Sequence, residues 1–586
     1  MIIAHSSHAP DSMTNVLSLS VGQHSSAGIK AVNQDRCGLS VPEGDEKISR
    51  GIIAAIADGI SSSEVSQEAS EVTIASLLQD YYATPESWSV KTAGERVLQS
   101  INAWLYGRSR NSQYRYDPDK GYICTLSTLI FKGNQAYLFH AGDSRIYHWR
   151  DSNLRQLSTD HFSHDAETGP VLSRAMGLEH QLDLEYRSLP LKTGDVFILA
   201  TDGVYDFVSG QQISDTLCQH QHDLQLAADT LVEQALHAGS NDNLTIQILR
   251  VESVMTDAEQ TLLNAATLLP PPPALAPGIL FEGYEILREL YISSRSHVFL
   301  AREISSDSLV ALKTLSTDLE QDPEAIERFL MEDWIAKRLD NVHCLKAFDS
   351  ARPRQSLYSV TEYIQGQTLS QWLADNPEPT LDEVRRIVCQ IARGLQAMHR
   401  REMIHQDIRP DNVLIDKTGT VKIIDYGATR IAGLAELGTE SELILGTAQF
   451  TAPEYFLGQA GTPQSDIFSL GVLTYHLLSR DLPYGTRVSR AFNETAQKKL
   501  QYRSLLQSQR QIPFWVDDSI KKAVHIQPHK RYQEVAEFVY DLSHPNKVFL
   551  NKARPVLIER NPVLFWQCVS LGLLLILLYQ TLPVFH

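Results

Sequence analysis

Residues 404–427 read IHQDIRPDNVLIDKTGTVKIIDYG. Asp407 and Asn412 stand five positions apart on what reads as a loop. The strand-like run VKII at 421–424 then delivers Asp425, followed by Tyr426 and Gly427. Three oxygen-bearing side chains in this order can hold Mg²⁺ and orient a hydroxyl for attack on a γ-phosphate. Upstream, Lys313 ends the strand-like run SLVALK, and Glu332 lies on an amphipathic helix read at 324–339. A Lys–Glu ion pair across a cleft would aim the ammonium at phosphates. Each piece alone has a bland alternative, such as a surface-facing lysine or a turn aspartate. The order Lys, Glu, HxDxxxxN, DxG is far more specific.

Over about residues 284–545 this order resembles the Hanks-type (eukaryotic-like) Ser/Thr protein kinase family. Glu362-Tyr363-Ile364 matches its hinge, and Ala452-Pro453-Glu454 and Ser465-Asp466-Ile467-Phe468-Ser469-Leu470-Gly471 match later motifs. Arg531 would pair with Glu454. The resemblance implies a two-lobed α+β domain that uses ATP with Mg²⁺. It implies Leu290, Val298, Lys313, Glu362 and Ile364 as nucleotide-binding residues, with Glu332 holding Lys313. It makes Asp407 the acceptor of the substrate hydroxyl's proton, and Asn412 and Asp425 metal ligands. Arg409 would face the γ-phosphate and favour Ser/Thr over Tyr. Two departures stand out. The glycine-rich loop is Tyr291-Ile292-Ser293-Ser294-Arg295-Ser296-His297-Val298, with all three glycines replaced. Glycines let backbone N–H groups approach phosphate closely, so either nucleotide binding is weak or Ser293, Arg295 and Ser296 supply contacts. Gln406 replaces the Arg that grips a phosphorylated activation loop, so activity is expected without phosphorylation of Thr439, Ser441 or Thr447.

The N-terminal half is of another kind. Short apolar runs such as IIAAIA, AYLFH and VFILAT alternate with turn residues and read as strands, while 64–78 and 224–238 have helical spacing. Three aspartates sit at strand ends: Asp58 before Gly59, Asp202 before Gly203, and Asp143 in AGDSR. Taken singly, Asp-Gly marks a turn. Converging carboxylates instead repel one another unless a cation sits among them, and hard divalent ions take oxygen ligands. GIKAVNQDR, AIADG, CTLSTL, HAGDSRIY, LSTDH, LSRAMG, ATDGVYD and GSNDNLT resemble the metal-dependent (PPM, or type 2C) protein phosphatases, in family order. The resemblance implies a central β-sandwich flanked by helices and hydrolysis of phosphoserine and phosphothreonine by a metal-bound water. It implies two or three Mn²⁺ or Mg²⁺ ions. Asp58 would bridge them, with the Gly59 carbonyl, Asp35, Asp202 and Asp242 as further ligands and Asp143 serving a third ion. Lys30 stands where the family carries an Arg for substrate phosphate and lacks the bidentate fork. The glycines after Asp-Gly are replaced within Ile60-Ser61-Ser62-Ser63, and Cys124-Thr125-Leu126-Ser127-Thr128 replaces a Gly-Thr-Thr-like strand motif.

Between the halves, LPPPPALAPG at 269–278 reads as a semi-rigid polyproline linker outside either domain. From 563 to 582 the chain carries no charge; as a helix it would span about 30 Å, a bilayer's hydrocarbon core. Lys547, Lys552, Arg554 and Arg560 precede it, placing the N-terminal side in the cytoplasm by the positive-inside rule. A buried core helix is the alternative for this stretch. Lys+Arg is 52 against Asp+Glu 70, a net −18, which argues against nucleic acid as a partner. The six cysteines show no paired spacing, which argues against a disulfide framework or structural zinc.

The expected organisation is therefore a phosphatase domain at 15–251, a linker at 252–283, a kinase domain at 284–545, a basic juxtamembrane segment at 546–562 and a transmembrane helix at 563–582. The expected location is the inner (cytoplasmic) membrane, single-pass, with both catalytic domains in the cytoplasm. Partners are phosphoproteins and protein Ser/Thr substrates, the chain itself among them. Two alternatives are a phosphatase regulated by a pseudokinase and a non-enzymatic membrane scaffold for phosphoproteins.

Overall fold

The structure is a computed structural model. It describes residues 17–117, 120–165, 169–254, 269–320, 322–348, 352–435, 449–507 and 512–546, and near the C-terminus 566–567, 569–574 and 576. The chain divides into two compact units, Met1–Leu269 with Ile431–Ser441, and Pro270–Arg430 with Glu442–His586.

The first unit is built on two five-stranded antiparallel sheets. One runs Ser18–Ser26, Leu244–Ser253, Val196–Ala200, Arg145–Arg150, Asn153–Gln156 from edge to edge. The other runs Glu185–Pro190, Gln135–Ala141, Leu126–Lys132, Ile52–Ala57, Arg36–Ser40. The strands Ile52–Ala57, Leu126–Lys132 and Val196–Ala200 are buried at every residue. Successive residues of a strand face opposite sides of the sheet; with both sides covered, Ile52–Ala57 and Val196–Ala200 are apolar throughout, while Leu126–Lys132 also buries Ser127, Thr128 and Lys132. Ile52, Ala54, Leu129, Phe131, Phe197 and Leu199 fill the layer between the sheets. Their neighbours Ile53, Ala55 and Ile130 pack outward on Leu77, Leu98 and Leu105 of the helices Ser66–Asp80 and Val90–Arg110. On the other side Ile198, Ile246 and Ile248 meet Ile213, Leu217 and Leu231 of Gly210–Gln219 and Leu224–His237. This is the expected sandwich flanked by helices. The edge strands SLSVGQHSS and EYRSLP carry little apolar pattern, because their outer residues stay exposed.

The second unit begins with an antiparallel sheet of Leu280–Phe281, Tyr284–Ile292, Ser296–Glu303, Ser308–Leu315 and Ser359–Glu362, accompanied by the helix Pro323–Arg338. Mostly helical structure follows. Thr380 and Glu383 close a capping box at the start of Leu381–His399, whose Val384, Ile387, Val388, Ile391, Leu395 and Met398 are buried at helical spacing. The helix Pro463–Ser479 is buried almost all round, which places it at the centre of this helical part.

One sequence expectation is corrected here. The proline-rich stretch is not a bare spacer; it lies against the second unit. Pro270 O accepts from Leu357 N at 2.9 Å, Gly278 N donates to Ile286 O at 2.7 Å, and Leu275 packs against the apolar cluster of the sheet that includes Phe281, Ile286 and Val310. A polyproline conformation has no internal hydrogen bonds, so its carbonyls are free to accept from a neighbouring strand or loop.

Among the described residues no helix is long and apolar enough to cross a membrane. The predicted span is described only at 566–567, 569–574 and 576, where it is helical, with Trp566, Leu571, Leu573, Leu574 and Ile576 exposed. The rest of the span, the basic residues before it, and Thr439, Ser441 and Thr447 lie outside the described residues.

Candidate active sites

In the first unit the fold gathers the aspartates at the ends of buried strands. Ile52–Ala57 ends at Asp58, and Val196–Ala200 leads through Thr201 to Asp202, the first residue of the short helix Asp202–Tyr205. Asp143 sits on the turn between Gln135–Ala141 and Arg145–Arg150. Asp35 immediately precedes Arg36–Ser40, and Asp242 lies two residues before Leu244–Ser253. Their electrostatics show that they meet. Burial, then Asp35, Asp202 and Asp143, push the Asp58 carboxyl well above the usual range. Burial, Asp143, Asp242 and Asp35 push Asp202 up to about 7. Asp143 rises to about 6, mainly through burial. Asp35 is fully buried; its Oδ2 accepts from Thr201 Oγ1 at 2.9 Å, while Oδ1 has no hydrogen-bond partner among the described residues.

Crowded, desolvated carboxylates with an orphaned buried oxygen fit hard divalent cations. Asp35, Asp58, Asp202 and Asp242, with Asp143 beside them, are the residues that would hold such ions. Backbone geometry is fixed around them. Asp58 N donates to Thr125 Oγ1 at 3.0 Å, Thr125 N donates to Asp58 O at 2.7 Å, and Gly59 N donates to Gln34 O at 3.2 Å. A Cβ on Gly59 would lie 2.7 Å from Ser66 O, so only glycine allows this approach. Lys30 Nζ pairs with Asp242 and donates to Ser61 Oγ at 2.8 Å, so the phosphate-binding candidate does stand at this cluster. Sequence reasoning did not single out Thr125, Thr201 or Ser61. The two threonines lie inside the quoted CTLSTL and ATDG motifs; nothing in the sequence marks Ser61 as Lys30's partner.

In the second unit Lys313, on Ser308–Leu315, donates to both carboxylate oxygens of Glu332, on Pro323–Arg338, at 2.7 and 2.6 Å. Burial alone would lower the Lys313 ammonium's pKa; Glu332 and Asp425 outweigh it and keep the group charged. Burial alone would raise Asp425; Lys313 and the Gly427 amide, 3.0 Å from Asp425 Oδ1, hold it below the usual range. Asn412 Nδ2 donates to Asp407 O and Oδ2, both at 2.9 Å, and Arg409 Nε lies 3.4 Å from Asp407 Oδ2. Lysine, glutamate and Asp425 thus meet electrostatically, as Asp407, Asn412 and Arg409 do through direct contact. Asn412 and Asp425 carry the oxygens that would hold Mg²⁺.

The loop under Asp407 is anchored from below. Buried Asp466 accepts from His405 N at 3.0 Å, Gln406 N at 2.9 Å and His399 Nε2 at 2.8 Å. Gln406 takes a left-handed φ of 68° to present its amide. The sequence names Asp466 only as part of a motif; its anchoring role emerges from the fold. Glu454 and Arg531 pair at 2.7 Å in the buried interior, as the sequence predicts. Val298 pairs with Lys313 across the ladder, and Leu290 sits at a register shift between Glu289 and Tyr291. Glu362 ends its strand with its carboxylate taken by Lys422 Nζ at 2.6 Å and Lys346 N at 3.0 Å, and its own N donates to Lys346 O at 3.1 Å. Ile364 follows two residues on, half-buried.

Comparison with known proteins divides the chain in the same way. Residues 23–238 match the protein phosphatase 2C family and residues 284–541 the protein kinase domain. Among curated proteins, the serine/threonine-protein kinase PrkC of Bacillus subtilis is 32% identical over 266 residues, covering 44% of this chain and 40% of its own. PknB of Mycobacterium leprae is 31% identical over 275 residues, covering 45% and 43%. The chain spans about two fifths of the length of these relatives. Among solved structures, PppA of Pseudomonas aeruginosa matches at 25% identity and TM-score 0.34, covering 40% of this chain and 99% of its own. The catalytic domain of the phosphatase PstP, solved in complex with two manganese ions, matches at 25% and 0.33 with the same coverage. The Mycobacterium tuberculosis PknI kinase domain matches at 25% and 0.37, covering 46% and 99%. The chain thus carries, in order, a stretch that matches protein phosphatase 2C and a stretch that matches the protein kinase domain.

Proposed function

We propose that this protein writes and erases phosphate on protein serine and threonine from one membrane-anchored chain. The observation that carries the proposal is that each unit assembles its own reactive set. Asp35, Asp58, Asp143, Asp202 and Asp242 converge with Lys30 in the first, and Lys313, Glu332 and Asp425 meet near Asp407, Asn412 and Arg409 in the second.

In the erasing reaction Lys30 draws the substrate phosphate toward the aspartate cluster. Asp35, Asp58, Asp202 and Asp242 would hold divalent cations there, which when bound would activate a water and neutralise charge on the phosphoryl group. Thr201 and Thr125 keep Asp35 and the Asp58 backbone in place. In the writing reaction Lys313, oriented by Glu332, binds ATP's phosphates, and Asn412 and Asp425 would hold Mg²⁺. Asp407 accepts the hydroxyl proton while Arg409 faces the transferred phosphate. Most of the acceleration in such a transfer comes from positioning and charge stabilisation. The exposed apolar residues Trp566, Leu571, Leu573, Leu574 and Ile576 support a membrane anchor, and Lys547, Lys552, Arg554 and Arg560 before it in the sequence support an inner-membrane location with both units in the cytoplasm, the chain itself being one candidate substrate.

The test of the erasing half is hydrolysis of a phosphothreonine peptide by the full chain in detergent with Mn²⁺ or Mg²⁺. Activity abolished by chelation and by Asp58→Asn supports it; activity that survives both overturns it. A second reading, a phosphatase regulated by a pseudokinase, is favoured by the glycine-free loop at 291–296. It predicts phosphate release without any phosphate transfer from ATP.

A further inference from the structure

The segment that aligns with a glycine-rich nucleotide loop is here a closed hairpin. Tyr291 pairs with Val298 and Ile292 with His297, so the strands run to the tip and only Ser293, Ser294 and Arg295 form the turn. Ser293 organises that turn with one hydroxyl. Its Oγ accepts from Arg295 N at 3.2 Å and from Ser296 N at 3.1 Å, and it donates to Ser296 O at 3.1 Å. Ser293 N donates to the same carbonyl at 3.0 Å. Ser316, buried just past the end of Ser308–Leu315, ties down the other side. Its N donates to Arg295 O at 3.0 Å and its Oγ to Ser294 O at 2.7 Å. A phosphate-binding loop works by offering free backbone N–H groups to the anion. Here the amides of Ser293, Arg295 and Ser296 are already engaged within the hairpin.

Resting on the kinase reading above, we propose that Ser293 is a positioning residue that withholds the hairpin's amides from nucleotide phosphate. ATP's phosphates are then left to Lys313 and to a cation that Asn412 and Asp425 would hold, and Ser293 sets how tightly the nucleotide binds. A hydroxyl that satisfies two amides at once is replaced by phosphate only at the loss of those hydrogen bonds, each of modest net strength.

The test is titration of ATP with Mg²⁺, and of adenosine, into the full chain carrying Asp58→Asn so that bound phosphate is not hydrolysed. Ser293→Gly and Ser293→Ala release the amides, and ATP affinity is expected to rise roughly 5–10-fold. Adenosine affinity should stay the same, and Ser293→Thr, which keeps the hydroxyl, should behave as the parent. A merely structural role predicts the reverse, with both ligands bound more weakly when the turn loosens. Unchanged or weaker ATP binding in Ser293→Gly overturns the inference, as does a parallel gain for adenosine. Lys313→Met separates this from the kinase reading. If it abolishes ATP binding while Ser293→Gly brings no gain, only the inference fails. If none of the proteins binds ATP, both fail.

Discussion

Lys30 shows how much one side chain decides. A lysine brings charge to a phosphate as a point, whereas arginine brings two parallel N–H donors. Lys30→Arg is therefore expected to lower KM for a phosphothreonine peptide by roughly 3–10-fold, with kcat little changed, in steady-state assays. Lys30→Ala should raise KM by at least as much. Lys313→Met should cut phosphate transfer by roughly 100-fold or more while leaving peptide hydrolysis intact, since the two sets of residues lie in different units. At this scale the sequence was informative because these groups sit in fixed-spacing motifs. It was silent on Thr201 beneath Asp35, on Ser61 beside Lys30 and on Lys422 against Glu362. Those partners come from distant segments, and no local spacing encodes them.

At the scale of elements, the strands and turns that carry the aspartates tolerate little change. A Cβ on Gly203 would lie 2.0 Å from Asn243 O, so Gly203→Ala must push the Asp202 helix from the strand that follows Asp242. The expected result is a loss of about 1–3 kcal/mol in denaturant melts, with metal activation weakened. In the second unit Arg531→Ala leaves Glu454 buried without its cation, and a loss of about 3–5 kcal/mol is expected. The strand Gln135–Ala141 carries a pH dependence. His140 is fully buried, its Nε2 facing Thr159 O at 3.1 Å, and burial, with His161, pushes its pKa down to about 4. In the unfolded chain it titrates near 6.5. Between those values the unfolded state binds the extra proton, so stability is full above about pH 6.5. It falls by up to about 3 kcal/mol toward pH 4. Urea midpoints of the first unit's transition across this range check the slope, which His140→Asn should flatten. Inner strands such as IIAAIA were legible from composition alone, because both faces are covered. The edge strands were not, because half of each is exposed and polar.

At the scale of the whole molecule, the proposed function would put two reaction centres of opposite sense on one chain, each raising the other's local concentration of substrate. The division into two units was visible as a break in composition at the proline run. That run's attachment to the second unit was not, because polyproline signals stiffness without saying what accepts its contacts. The central claim is that both halves are chemically competent, and the glycine-free hairpin makes the kinase half the one to measure. The full chain carrying Asp58→Asn is incubated with γ-labelled ATP and Mg²⁺ or Mn²⁺, beside Asp58→Asn/Asp407→Ala. Label on the first protein or on a generic acceptor, absent from the second and removed by the wild-type phosphatase with Mn²⁺, is the predicted result. No label on either protein or acceptor, with ATP still bound, would contradict it and make the second unit a regulator of the first.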